Sequence, residues 1–320
     1  MNIKVLLGKL KKLEEKYEIN GQNLESYLDG LYEADFLNYW DYIHLDTLLS
    51  LQTKRTGFPD EEIFIVFHQV SELYFRLIIL ELGQICHSEE MENFILEDKL
   101  SRINRYFQIL VHSFPVMSQG MDPGQFMHFR LALMPASGFQ SVQFRYIEFM
   151  CTDVDNLLNM EMRGQLKDAL LDKKMESLYW RSGSTDLKTG RKTLTLTRFE
   201  QKYDQALVRH AEKYRLSNLR SKFIAEGKMA ALPESTKNLF RELDRNINQG
   251  WRMVHLQSAG KYLKKPDSAL EATGGTNWQK YLPPGFQKII FFPELWSAEE
   301  LENWGMGSHD FSGENASPKT

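Results

Sequence analysis

Pro59, the acids Asp60 to Glu62, and a run that stays apolar almost all round to Leu82 constrain the fold more than any other stretch of the chain. A proline at the first helical position loses no useful hydrogen bond, and acids in the first turn complement the positive end of a helix. The run is interrupted by Gln69, Glu72 and Arg76 at steps of three and four, so it predicts a central buried helix whose polar residues bond along one edge. A helix that is apolar on most sides must be wrapped by others, and the rest of the chain supplies them.

Leu6, Leu10, Leu13 and Tyr17 form one apolar stripe on a first helix that needs a partner. Helical patterns recur over about 91–113, 138–150, 163–180, 198–225 and 234–263. Ser182 to Thr197 is rich in turn formers and then alternates threonine with leucine, so a flexible loop or short hairpin is expected there. The expectation is an all-α single domain over 1–320, with an N-terminal arm at 1–45, a helical insertion at about 160–230 and a disordered polar tail at about 307–320. No internal repeat points to a solenoid.

A formal charge of −4 over 320 residues, with no dominant run of lysine or arginine, gives nucleic acid or an anionic membrane no electrostatic footprint. A small-molecule partner is favoured. Cys86 and Cys151 lie in apolar helical runs without a CxxC pattern, which reads as reduced thiols in a reducing compartment. Met1 to Tyr17 is amphipathic and charged, unlike a signal peptide or a membrane span, so a cytosolic protein is expected. The absence of CxxCH excludes ordinary covalent haem attachment.

Several residue pairs could carry chemistry. Arg130 follows Phe126 by four residues, so a guanidinium and an aromatic ring share a helix face just before Pro135, a combination able to hold an aromatic acid. Ser137 and Gly138 follow, a capping hydroxyl and a residue without Cβ where backbone N–H groups can approach a ligand. His68 follows Phe64 by the same spacing on the long apolar helix. His255 is in register with Ile247, Trp251, Ser258 and Tyr262 and faces inward. Each pair alone reads more readily as packing: a lone histidine on an apolar face is usually a hydrogen-bonded core residue.

Taken together, six stretches carry a resemblance. PASGFQSVQFR (135–145) preceded by Phe129-Arg130, YWDYIHLDTLLS (39–50), FIVFHQVSELYF (64–75), WRMVH (251–255) with Thr273-Gly-Gly, and FPELW (292–296) occur in the order of the tryptophan 2,3-dioxygenase family, which the chain resembles. The resemblance implies a haem b enzyme that opens the indole ring of L-tryptophan with O2 to give N-formyl-L-kynurenine. It implies that His255 is the axial ligand of the haem iron and that Phe64 and Phe126 sandwich the indole. His68 would face the indole N–H as the catalytic-side partner, and Arg130 would bind the carboxylate. Thr273 would lie near the ammonium, and Ser137 and Gly138 near the distal face of the cofactor. Tyr39, Tyr42 and Ile43 would reach into a neighbouring pocket of a homotetramer. The chain differs from the family at Ala272, where glycine is usual, in TNWQKYL after the double glycine, and in a longer interval from His255 to Thr273. A related haem oxygenase or hydroxylase acting on another indole or aromatic amino acid, and a non-catalytic helical haem sensor, are the competing expectations.

Overall fold

The computed structural model describes residues 2–19, 21–34, 38–133, 138–185, 190–265, 268–269 and 283–306. The chain falls into two compact units, Met1–Thr53 and Lys54–Thr320.

The first unit holds α1 (Ile3–Glu18), α2 (Leu24–Glu33), α3 (Tyr39–Tyr42) and α4 (Leu45–Leu48). Asn23 caps α2 by accepting the Glu25 N–H at 2.7 Å, which satisfies one of the free donors of a helix start. Tyr17 and Tyr27 bring their rings within 4.5 Å. The stripe on α1 stays open, with Leu6 and Leu13 exposed and no side chain of α1 or α2 buried.

In the second unit, α5 (Asp60–His87) packs along α6 (Asn93–Ser113) and α9 (Val142–Cys151) through Phe67, Phe75, Ile78, Leu82 and Ile85. By length and hydropathy α5 could cross a membrane, yet this face is core. The expectation of a helix buried on most sides is corrected: Val66, Val70, Leu73, Leu77 and Leu80 are 41–52% exposed, because three- and four-residue spacing puts them all on the face opposite the core. On the expected polar edge, Glu72 accepts from Gln143 on α9 at 2.8 Å. Cys86 and Cys151 are free, buried thiols as expected, and burial pushes Cys86 up to about 12.

After α6 come α7 (Pro115–Ser118) and α8 (Pro123–Phe129), and after α9 come α10 (Leu171–Glu176), α11 (Tyr179–Ser182), α12 (Leu194–Tyr214), α13 (Leu219–Phe223), α14 (Glu234–Arg245) and α15 (Arg252–Leu263). The helix expected over 163–180 is broken into turns and the short α10 and α11, with Gly164 at a φ of 81° and Leu170 and Leu178 extended. The Thr-Leu alternation is likewise not a strand: Thr193 accepts the Leu196 N–H at 3.2 Å and caps α12, while one antiparallel bridge, Thr185 to Lys192, precedes it. Among the described residues the strands are the two-residue pair β1 (Lys264–Lys265) and β2 (Ser268–Ala269), so the protein is all-α in architecture.

The single helix expected over 234–263 is interrupted by a π-helical turn, Asn246–Trp251, in which every residue is buried. The steps of four from Ile247 to Trp251 to His255 would drift by about 40° each on a 3.6-residue helix; the wider π turn keeps them on one side. Just before it, Asp244 is fully buried and accepts from Asn248 at 2.8 Å, the Phe291 and Phe292 N–H groups at 2.9 and 3.1 Å, and the Trp296 indole N–H at 3.1 Å. That carboxylate is why the FPELW segment lies against α14.

Candidate active site

The site begins with a latch between two helix starts. The Asp122 N–H donates to the Asp60 carboxylate at 2.6 Å, and the Asp60 N–H donates to the Gln125 side chain at 3.3 Å. Asp122 also caps α8 by accepting the Gln125 N–H at 2.8 Å. Behind the latch, buried Glu61 accepts the Arg55 and Thr56 N–H groups at 2.7 and 2.8 Å. Burial alone would raise its pKa, but the Thr56 hydroxyl and these N–H groups hold it below the usual value. One turn into each helix, Phe64 of α5 and Phe126 of α8 place their rings 6.4 Å apart, with Phe129 6.0 Å from Phe64.

Four residues on from Phe126, Arg130 opens a 3-10 turn and donates its N–H to the Phe126 carbonyl. The residue is 6% exposed, and burial lowers the pKa of its guanidinium. The expected sharing of one helix face by Phe126 and Arg130 is present. Gly138 starts the next 3-10 turn, Gly138–Gln140, while α9 takes its cap from Ser141, which accepts the Phe144 N–H at 3.2 Å. Ser137 and Thr273 lie outside the described residues. Tyr39, Tyr42 and Ile43 belong to the first unit, the two tyrosines exposed and Ile43 half-buried.

His68 sits 4.1 Å, ring to ring, from Phe64. Its Nδ1 lies 2.7 Å from the Phe64 carbonyl, and because a carbonyl can only accept, the proton is on Nδ1 and Nε2 keeps its lone pair. His255 repeats the arrangement with the Trp251 carbonyl at 2.7 Å. His87 makes the same contact with Gly83, so the tautomer is a general product of histidine on these helices; the surroundings make the difference. Phe114 lies edge-on to His255 at 4.5 Å and to Trp251 and Phe67 at 5.4 Å, and Phe67 flanks His68 at 5.9 Å. These rings connect the two imidazoles.

Burial lowers the pKa of both histidines. His255 falls to about 4, with His68 and then Arg252 adding repulsion, so the two imidazoles are within electrostatic reach of each other. For His68, burial outweighs the opposing pull of the Phe64 carbonyl and Glu72. His68 is nonetheless exposed by surface area. The His68 ring is therefore packed among neighbours on its helix side and open to solvent at its edge.

Behind α15 lies a buried polar cluster. Glu148 pairs with Arg145 at 2.9 Å and accepts the Tyr179 hydroxyl, and Arg252 stacks over the Tyr179 ring at 4.6 Å with its Nε and one Nη without a partner among the described residues. Burial raises the Glu148 pKa against the pull of Arg145 and Tyr179. Two guanidinium groups to one carboxylate leave positive potential behind His255, which favours a neutral imidazole there. A cleft of about 910 Å³ elsewhere, lined by Asp153, Lys174, Arg215 and Arg220, has its charges already paired and includes neither histidine nor the rings between them.

Residues 30–200 match the family model for tryptophan 2,3-dioxygenase, a span that includes Phe64, His68, Phe126 and Arg130. The chain belongs to the tryptophan 2,3-dioxygenase family. Similar proteins, each named tryptophan 2,3-dioxygenase, include one from Herpetosiphon aurantiacus, 29% identical over 82% of this chain and 96% of its own length. One from Geobacillus thermodenitrificans is 27% identical over 87% of this chain and 98% of its own length. One from Ruegeria sp. is 38% identical over 37% of this chain, and the match spans 42% of that relative's length. Within this tryptophan 2,3-dioxygenase family framework, sequence reasoning missed Phe67 and Phe114 as walls, the π turn and the Asp244 clamp. A faint signal for two of these existed: Asn246, Asn248, Gln249 and Gly250 are poor company for the inside of an amphipathic helix.

Proposed function

We propose that the chain cleaves the C2–C3 bond of the indole of L-tryptophan with O2, giving N-formyl-L-kynurenine, with haem b held by His255. Family membership supports the reaction class. The observation that carries the residue roles is the pair of neutral imidazoles, each with Nδ1 tied to a backbone carbonyl and no Nε2 partner among the described residues, within electrostatic reach of one another and joined by the rings of Phe67 and Phe114.

The donor set fits a haem. A neutral imidazole with its Nδ1–H held by a carbonyl presents Nε2 in the form an iron takes, and flat aromatic neighbours suit a macrocycle. Bound haem would supply the ferrous iron chemistry that brings O2 to the indole.

The protein's own side chains then bind and orient. Phe64 and Phe126 flank the indole, and Arg130 meets the carboxylate with two parallel charge-assisted bonds. His68 accepts the indole N–H at Nε2, because its own proton is committed to the Phe64 carbonyl. An indole N–H is too weak an acid for an imidazole to remove it readily, so His68 orients more than it abstracts. Thr273 beside the ammonium, Ser137 and Gly138 beside the cofactor, and Tyr39, Tyr42 and Ile43 reaching a neighbouring subunit in a cytosolic homotetramer belong to the same proposal and are supported by the motifs that contain them.

An Nε2 without a partner among the described residues, on both histidines, favours one second reading, a six-coordinate haem sensor without turnover. Ferrous haem-loaded protein, mixed with L-tryptophan and O2, separates the two. Formylkynurenine absorbance with both oxygen atoms in the product is expected. A product gaining one oxygen, a six-coordinate spectrum indifferent to tryptophan, or activity without iron overturns the proposal.

A further inference from the structure

Tyr262 lies seven residues beyond His255 on α15, two helical turns and about 10 Å along nearly the same face. The residue is 7% exposed, and its hydroxyl donates to the Met117 carbonyl at 2.6 Å, with the Met121 carbonyl at 3.3 Å as a second acceptor. Its neighbour Lys261 reaches the Ser118 carbonyl. The end of α15 is therefore tied to the turn that leads into α8.

The ring of Tyr262 meets Phe126 at 4.7 Å, and Phe126 faces Phe64 at 6.4 Å. A phenylalanine wall is only as firm as what stands behind it. Tyr262 is held at both ends, by its helix and by the carbonyls its hydroxyl reaches, so Phe126 cannot retreat without breaking a buried hydrogen bond.

We propose that Tyr262 is a positioning residue for substrate: acting through Phe126, it sets the width of the aromatic slot and links that slot to the helix bearing His255. The proposal rests on the reading of Phe126 as a wall of the tryptophan site. It assigns a role to a side chain that need never touch the substrate.

The test uses the full-length, haem-loaded protein, with KM and kcat for L-tryptophan, the Soret-to-protein absorbance ratio, and tryptophan titration of the ferrous Soret band. Tyr262→Phe keeps the ring and loses the hydroxyl, and should raise KM about two- to tenfold, the scale of one hydrogen bond. Tyr262→Leu should raise KM about tenfold or more, with kcat within about twofold and haem content unchanged, as for loss of uniform binding. Because the effect passes through Phe126, the double variant F126L/Y262L should be little worse than F126L alone. Wild-type KM in Tyr262→Leu, additive losses in the double variant, or KM, kcat and haem content failing together would overturn it. Wild-type KM in F126L is a different failure, since it removes the wall assignment itself.

Discussion

His255 offers the sharpest perturbation, because its proton, its packing and its proposed ligand bond all meet at one ring. Burial takes its pKa from 6.5 to about 4. Between those values the unfolded chain binds a proton that the folded chain refuses, so stability rises with pH across the window and is lost on acidification from about 6.5 to 4. At about 1.4 kcal/mol per pKa unit, the shift amounts to about 3 kcal/mol between the two ends. His255→Phe keeps a flat ring beside Phe114 and Trp251 but has nothing to protonate. Urea unfolding of the apoprotein at a series of pH values, followed by far-UV circular dichroism, gives the curve for each protein. The wild type should lose about 3 kcal/mol more than His255→Phe between pH 7 and pH 4. His210 also has a lowered pKa and titrates in both proteins, so it cancels in the difference, whereas the smaller His68–His255 repulsion is part of the His255 shift and stays in it. Parallel curves would refute the claim that burial keeps His255 neutral, and with it the electrostatic basis for a ligand available at physiological pH.

Three further outcomes are expected. Arg130→Lys should raise KM for L-tryptophan about tenfold or more, with a smaller change in kcat, because an ammonium cannot reproduce the bidentate fork; steady-state kinetics check it. His68→Ala should lower kcat/KM without abolishing turnover and should leave the Soret band in place, measured by spectrum and product formation together. Trp296→Phe should cost about 1.5–3 kcal/mol in urea unfolding, since it removes one of four donors from the buried Asp244 carboxylate while keeping most of the ring.

The sequence alone was enough for whatever depends on local period and local chemistry. The proline before α5 and the acids in its first turn, the four-residue steps from Phe64 to His68 and from Phe126 to Arg130, and the inward face of His255 all follow from helix geometry, which neighbours three or four apart must obey. The ordered motifs pointed to a family in the same way. What only the tertiary structure decided depends on residues far apart in the chain. Phe114 comes to lie against the His255 ring because α7 runs beside α15, the stripe on α5 stays exposed because α6 and α9 cover the opposite face, and the register after Ile247 survives because a π turn absorbs an extra residue. Periodicity says which face of a helix is apolar. It cannot say which other element will cover that face, because that choice is made by packing the whole chain at once.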